Sequence, residues 1–359
     1  PSFTYEDSQN IYYGNVGAIQ GDAFKFDLSQ LGGLSGPVVA IGSWTVDAGD
    51  GSDDRVVYVT RGGDVIVYTG TNPGDANNFA LLGRFKVAEV LGDRPLLKFG
   101  SDLAIFTAEG ILPLSEVFRL GRASSVRALS DTIRPTITER ARAWKADPAW
   151  DSVLDEGGRL LIFNTPVGVN EYEQVAYSMT QGGWFPLRGW SARAWTAFQG
   201  QIYYGSTDGK VFQALDGLSD DGAAIEAGAE LAWTNLNIGG GKEVVQARPV
   251  FSFEGDLTWF HGFAFDFDEL HAPETYEDGS SAPFNLGISE QFDVSPHGAT
   301  WDTADWDAEF WSRPEIHREW HAARGAGTFI QYRQRVSADG QEVKWIQTDI
   351  AVTPAKATL

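Results

Sequence analysis

The chain has 359 residues, 49 acidic against 27 basic side chains for a net charge of -22, and no cysteine. That charge argues against a phosphate-gripping surface as the main business of the molecule, and the absent thiols exclude disulfide scaffolds, thiolate metal sites and cysteine nucleophiles. With 43% hydrophobic and 21% charged residues the composition is that of a folding chain, with room for one large β domain or two to three smaller ones.

Forty-one glycines lie scattered between short apolar runs rich in Trp and Phe, which predicts an all-β fold. The chain opens at Pro1 without Met, and residues 10–13 already read as a strand in mid-architecture, so further blades are expected upstream. Paired strands follow: residues 55–59 and 65–68 across Gly62-Gly63, and residues 103–106 and Ile111 across Glu109-Gly110. Residues 160–163 lead to 175–177, then to Trp184-Phe185 across Gly182-Gly183. Residues 201–206 and 210–214 flank Asp208-Gly209, where the glycine supplies the positive φ of a tight hairpin. Strand starts at Val56, Leu103, Leu160 and Ile202 are 47, 57 and 42 residues apart by subtraction. Four-stranded propeller blades repeat at roughly 40 to 50 residues, whereas a β-sandwich repeats its hairpins sooner. We therefore expect a β-propeller, incomplete in this chain, over residues 1–220.

One helical insertion is predicted near residues 115–145, split at Arg134 by Pro135. It is locally basic: residues 119–145 hold seven basic and two acidic side chains, a balance of +5. Beyond Asp220 the composition shifts, with 9 basic and 23 acidic residues over 221–359 against 18 and 26 over 1–220. A domain boundary is placed there, followed by an acidic, sandwich-like β domain. Residues 254–278 carry eight acidic residues and no Lys or Arg. Residues 329–333 and 343–346 read as a closing hairpin around Asp339-Gly340.

Few constellations carry chemistry. The run from Asp47 to Asp54 has four carboxylates among glycines, as a Ca²⁺ loop would, but reads better as a solvated turn. His317 and His321 have the i, i+4 spacing of a zinc helix, yet Arg318 stands where the catalytic Glu belongs. Gly239-Gly240-Gly241-Lys242 lacks the leading Gly and trailing Ser or Thr of a phosphate loop and reads as a turn. No Gly-x-Ser-x-Gly elbow occurs, so no enzyme activity and no cofactor are expected. Trp301, Trp306 and Trp311 recur every five residues, a spacing that suits a core or subunit contact, or a sugar-stacking platform. Opposite local charge suggests that Arg134, Arg140 and Arg142 meet Asp266, Asp268 and Glu269 of the same or a neighbouring subunit, the alternative being that both segments are solvated faces. No apolar run reaches the roughly 18 to 20 residues that span a bilayer, so no membrane anchor is expected.

Taken in order, Tyr12-Tyr13-Gly14-Asn15-Val16-Gly17-Ala18-Ile19, Ser43-Trp44-Thr45-Val46-Asp47-Ala48-Gly49-Asp50-Gly51 and Val67-Tyr68-Thr69-Gly70-Thr71-Asn72-Pro73 resemble the tail hub or nozzle proteins of short-tailed bacteriophages. So do Asp102-Leu103-Ala104-Ile105-Phe106-Thr107, Gly110-Ile111-Leu112-Pro113-Leu114-Ser115, and Gly182-Gly183-Trp184 leading to Ile202-Tyr203-Tyr204-Gly205. The resemblance runs over about residues 10–255. It implies a structural virion protein built around a β-propeller, arranged as a homo-oligomeric ring, sixfold in such tails, that continues the DNA channel below the portal. Portal or adaptor and other tail proteins would be its neighbours, with genomic DNA passing through without tight binding. It carries over no catalytic residue, and such proteins begin with a long β segment that this chain lacks. Missing cysteines suit assembly in a reducing bacterial cytoplasm before incorporation into the virion tail. The rival expectation is a carbohydrate-binding or glycan-cleaving propeller, for which the Trp repeat and acidic loops would form the site.

Overall fold

The computed structural model describes residues 2–4, 8–15, 17–18, 20–47, 52–70, 72–75, 77–120, 128–255, 257–268, 288–294, 298–299, 310–311 and 315–355. The fold is all-β, in two compact units, Pro1–Leu215 and Asp216–Leu359.

The first unit is a succession of five antiparallel meanders, each a sheet of strands paired in chain order. The first holds β1 (Ser2–Thr4), β2 (Asn10–Tyr13) and β3 (Phe24–Asp27). The second holds β4 (Val38–Asp47), β5 (Ser52–Thr60), β6 (Asp64–Gly70) and β7 (Phe79–Lys86), and the third β8 (Leu96–Phe99), β9 (Asp102–Thr107) and β10 (Gly110–Pro113). After two helices, α1 (Leu114–Leu120) and α2 (Arg134–Trp144), come the fourth, β11 (Asp151–Asp155), β12 (Leu160–Gly168), β13 (Glu171–Ser178) and β14 (Gly183–Leu187), and the fifth, β15 (Ala192–Phe198), β16 (Gln201–Ser206) and β17 (Val211–Ala214). Four of the five contain the hairpins read from sequence. The first meander was legible only as its middle strand.

The two-residue alternation of a strand explains how the sheets stack. In β6, Ile66 and Tyr68 join Ile11 and Leu28 in a core shared with the first meander, while Val65 and Val67 join Leu103 and Ile105 in a core shared with the third. In β9, Ala104 and Phe106 turn the other way, onto Leu161 and Phe163 of the fourth. Ile162 and Ala176 of the fourth then pack on Trp195, Ile202 and Tyr204 of the fifth. Middle sheets buried on both faces need continuous apolar runs, which is why Val56-Val57-Tyr58-Val59 shows no polar alternation. Each such side chain contributes about 1.5–3 kcal/mol of burial. The leading strands also lie side by side in order, β1 by β4, β4 by β8, β8 by β11 and β11 by β15.

The helices sit between the third and fourth meanders. Leu114 and Val117 of α1 close the core of the second and third sheets, and Ile137 and Ala141 of α2 enter that of the third and fourth. Pro135 lies in the first turn of α2, where its missing N–H is no loss, so it opens the second helix.

The second unit has two antiparallel sheets sharing a core. In one, β18 (Ile225–Glu230), β27 (Ile330–Ala338), β20 (Leu257–Phe265) and β21 (Ile288–Val294) pair in that order. In the other, β19 (Lys242–Phe253) pairs along one edge with β28 (Lys344–Pro354) and along the other with β24 (Glu315–His317), β25 (His321–Ala322) and β26 (Ala326–Gly327). A separate parallel bridge joins β22 (Gly298–Ala299) and β23 (Phe310–Trp311). Val244, Ala247, Phe251 and Phe253 of β19 face Trp259, Phe263, Tyr332 and Val336 of the other sheet.

This arrangement corrects the closing hairpin. β27 has both edges occupied, by β18 and β20, so the turn at Gly340 carries the chain across to the other sheet, where β28 pairs with β19. Among the described residues no helix is long and apolar enough to cross a membrane.

Candidate functional site

Two regions bear on function: the leading strands of the first unit, and the charged segments singled out from sequence. At the leading strands of the third, fourth and fifth meanders lies a groove of about 390 Å³, lined by Leu97, Lys98, Ser152, Leu154, Glu156, Thr196 and Gln201 among others. Lys98 and Glu156 are its two charged groups, so the groove is electrically near balance.

Beside it a polar clamp ties the same three meanders together. The Arg94 guanidinium donates to Asp151 Oδ2 at 2.7 Å and to the Trp195 carbonyl at 3.3 Å, and Asp151 Oδ2 also accepts from the Trp195 N–H at 2.8 Å. Burial pushes the Asp151 carboxyl up, against the pull of the Trp195 N–H and Arg94. Sequence reading missed this clamp, because its members are 57 and 44 residues apart.

A second knot closes the hairpin of the second meander. Asp64 is buried and accepts from the Ser35 N–H at 2.7 Å, the Thr60 hydroxyl at 3.1 Å, Arg84 at 3.0 Å and Lys86 at 3.1 Å. Burial would raise its pKa, but the Ser35, Arg84 and Lys86 contacts outweigh it and hold the carboxyl below its ordinary 3.8. A lowered carboxylate pKa stabilises the fold above the unfolded value and loses that contribution as pH falls through the folded one. Asp64→Asn is therefore expected to cost more stability at pH 7 than at pH 3, since the charged carboxylate's contribution is lost as pH falls below 3.8. Urea midpoints at the two pH values check this.

The basic segment is divided in its roles. Arg134 pairs with Asp131 three residues earlier, at the surface. Arg140 lies along the fourth meander, donating to Thr165 and pairing with Glu173, which also takes Arg188. Arg142 is exposed and makes no ion pair among the described residues. Arg122 and Arg127 lie outside the described residues. Arg140→Met is thus expected to destabilise the first unit by about 2 kcal/mol through the half-orphaned Glu173, while Arg134→Glu and Arg142→Glu change stability by less than about 1 kcal/mol. Urea denaturation distinguishes the two classes.

On the acidic side, Asp266 Oδ1 accepts from the backbone N–H groups of Thr328 and Phe329, at 2.7 and 2.9 Å, and closes a turn of its own unit. Asp268 follows in that turn, its N–H bonded to the Phe265 carbonyl at 2.9 Å. Glu269 lies outside the described residues, as do residues 48–51 of the candidate Ca²⁺ loop and Trp301 and Trp306. Asp53 and Asp54 belong to β5, paired with Val46 and Thr45 in a hairpin.

His317 and His321 are on two short strands, not one helix, with their Nε2 atoms 3.0 Å apart. Among the described residues no three His, Asp or Glu side chains are placed to hold a metal ion. The turn lies just before the glycines, closed by the Ile238 N–H on the Asn235 carbonyl, and Gly239–Gly241 is loop with a bend at Gly240; Lys242 is buried with Nζ donating to the carbonyls of Gly240 and Thr328.

Compared with known proteins, the chain matches no protein-family model and none of the curated proteins.

Proposed function

We propose that the chain is a structural subunit of the tail of a short-tailed bacteriophage, a hub or nozzle protein whose first unit is a β-propeller. Copies assemble into a closed ring, sixfold as the resemblance implies, on the path DNA takes below the portal. The observation that carries this reading is the row of five meanders stacked in chain order with their leading strands side by side, the order in which propeller blades set their innermost strands around an axis. Together with the sequence resemblance it favours a conduit.

Two further features support it. The face of the fifth meander turned away from Ile202 and Tyr204 carries Phe198 and Val211, 60% and 74% exposed, as apolar surface for a neighbouring copy. The charge of -22 and the balanced groove suit a polyanion that must slide past.

Mass photometry of the purified chain and of isolated tails tests the assembly. The reading expects a discrete ring of copies, and a monomer inside intact tails would contradict it. Duplex DNA is expected to bind more weakly than micromolar in about 0.15 M salt, because the phosphate contribution is unfavourable. Tighter binding would reject the sliding conduit.

A further inference from the structure

The groove at the leading strands of the third, fourth and fifth meanders combines buried apolar groups with accessible polar ones. Leu97, Val153, Trp195 and Ile202 line it and are each no more than 9% exposed, while Ser152 and Thr196 bring hydroxyls. Its volume of about 390 Å³ falls at the small end of the roughly 300–1,000 Å³ range of small-molecule pockets, in which an apolar lining supplies contact and a few polar groups fix orientation.

Two opposite charges share this groove and are not engaged with each other. Lys98 and Glu156 both line it, and among the described residues neither forms an ion pair with the other or with a third group. Carboxylates close by in the chain are committed elsewhere. Asp102 accepts from the Ser115 N–H at 3.1 Å, Asp155 from the N–H groups of Gly157 and Gly158 at 3.1 and 2.9 Å, and Asp151 from Arg94 at 2.7 Å. The depression on the first meander differs in this respect. Its Lys25 and Asp27 pair with each other at 3.4 Å, so their charges offset each other.

The groove is also held in place. Leu97 and Lys98 belong to β8, Ser152 and Val153 to β11, and Trp195 and Thr196 to β15, with Glu156 directly after β11. The clamp of Arg94, Asp151 and the Trp195 backbone ties these three meanders together. A site carried on tied strands loses little freedom when a ligand arrives.

We infer that this groove binds a small zwitterion with an apolar side group, the chemistry of an amino acid or a short peptide. The ligand carboxylate meets the Lys98 ammonium, the ligand ammonium meets the Glu156 carboxylate, and the apolar group lies against Leu97, Val153 and Ile202. A ligand with one charge leaves the other groove charge unanswered. A sugar uses the hydroxyls but neither charge, and a polyanion is repelled by Glu156. Lys98 and Glu156 are exposed, so each charge pair contributes modestly and the affinity is roughly millimolar. The site lies within the first unit of one copy and does not depend on ring assembly.

NMR titration of the isotope-labelled full chain with L-leucine and with leucyl-leucine tests this, the two probes differing in the separation of their charges. Saturable shifts of the Lys98, Ser152, Glu156 and Thr196 amides are expected at roughly millimolar concentration for at least one probe. Lys98→Met and Glu156→Gln should each weaken binding about fivefold or more, and isovalerate and isopentylamine, which keep one charge each, should bind weaker by a similar factor. Both substitutions alter exposed side chains and leave the clamp intact, so the variants fold. Three results would overturn the site: no saturable shift by either probe up to about 50 mM, unchanged affinity in both variants, or singly charged analogues that bind as tightly as the zwitterions.

Discussion

Replacing Trp150 by Ala should destabilise the first unit by about 3–5 kcal/mol, the range for truncating a fully buried aromatic residue. Trp150 is 1% exposed in the core between the third and fourth meanders, edge-on to Phe106 at 5.2 Å, and its Nε1–H donates to the Trp144 carbonyl at the end of α2 at 2.8 Å. The variant therefore loses a large contact and a helix-end hydrogen bond together. The backbone around it is equally constrained. Gly92 has φ +67, and a Cβ there would fall 2.0 Å from the Trp150 carbonyl oxygen, so no side chain fits. Urea denaturation followed by circular dichroism measures the loss, with exposed Leu81→Ala as the control expected within about 1 kcal/mol. A loss below about 1 kcal/mol for Trp150→Ala would show that the third and fourth meanders do not share this core.

Asp151→Ala is the second large effect, roughly 2–4 kcal/mol. It removes the acceptor of the Trp195 N–H and the partner of Arg94, leaving the first in a buried place. The direction of the Asp151 pKa separates charge from hydrogen bonding. Because burial raises it, the group favours the fold below its unfolded pKa of 3.8 and loses that contribution as pH rises through the folded value. Asp151→Asn, which keeps an acceptor and sheds the charge, should thus stay within about 1 kcal/mol of wild type at pH 7. Equal losses for the two variants would assign the clamp to the charge instead.

These two residues also mark where sequence reading stops. The hairpins were legible because tight turns need local chemistry: Gly63 and Gly209 have φ of +89 and +84, in the left-handed region that glycine adopts freely. The first meander has no such pair between β2 and β3, so only its middle strand stood out. β27 and β28 looked like a hairpin because period-2 alternation tells which face a residue occupies, never which sheet its strand joins. The clamp and the groove beside it were invisible for the same reason. Arg94 and Asp151, or Lys98 and Glu156, carry no local signal of a meeting that depends on the stacking of sheets. The basic run at 119–145 was legible as charge, but not as the different tasks of Arg134 and Arg140, which Asp131 and Glu173 decide.

A cryo-EM reconstruction of the particle that carries this chain tests the proposed hub most directly. The proposal expects a closed ring of copies coaxial with the portal, the meanders of each first unit arranged as blades with β4, β8, β11 and β15 innermost. A single copy per particle, or a place away from the DNA path, would contradict it.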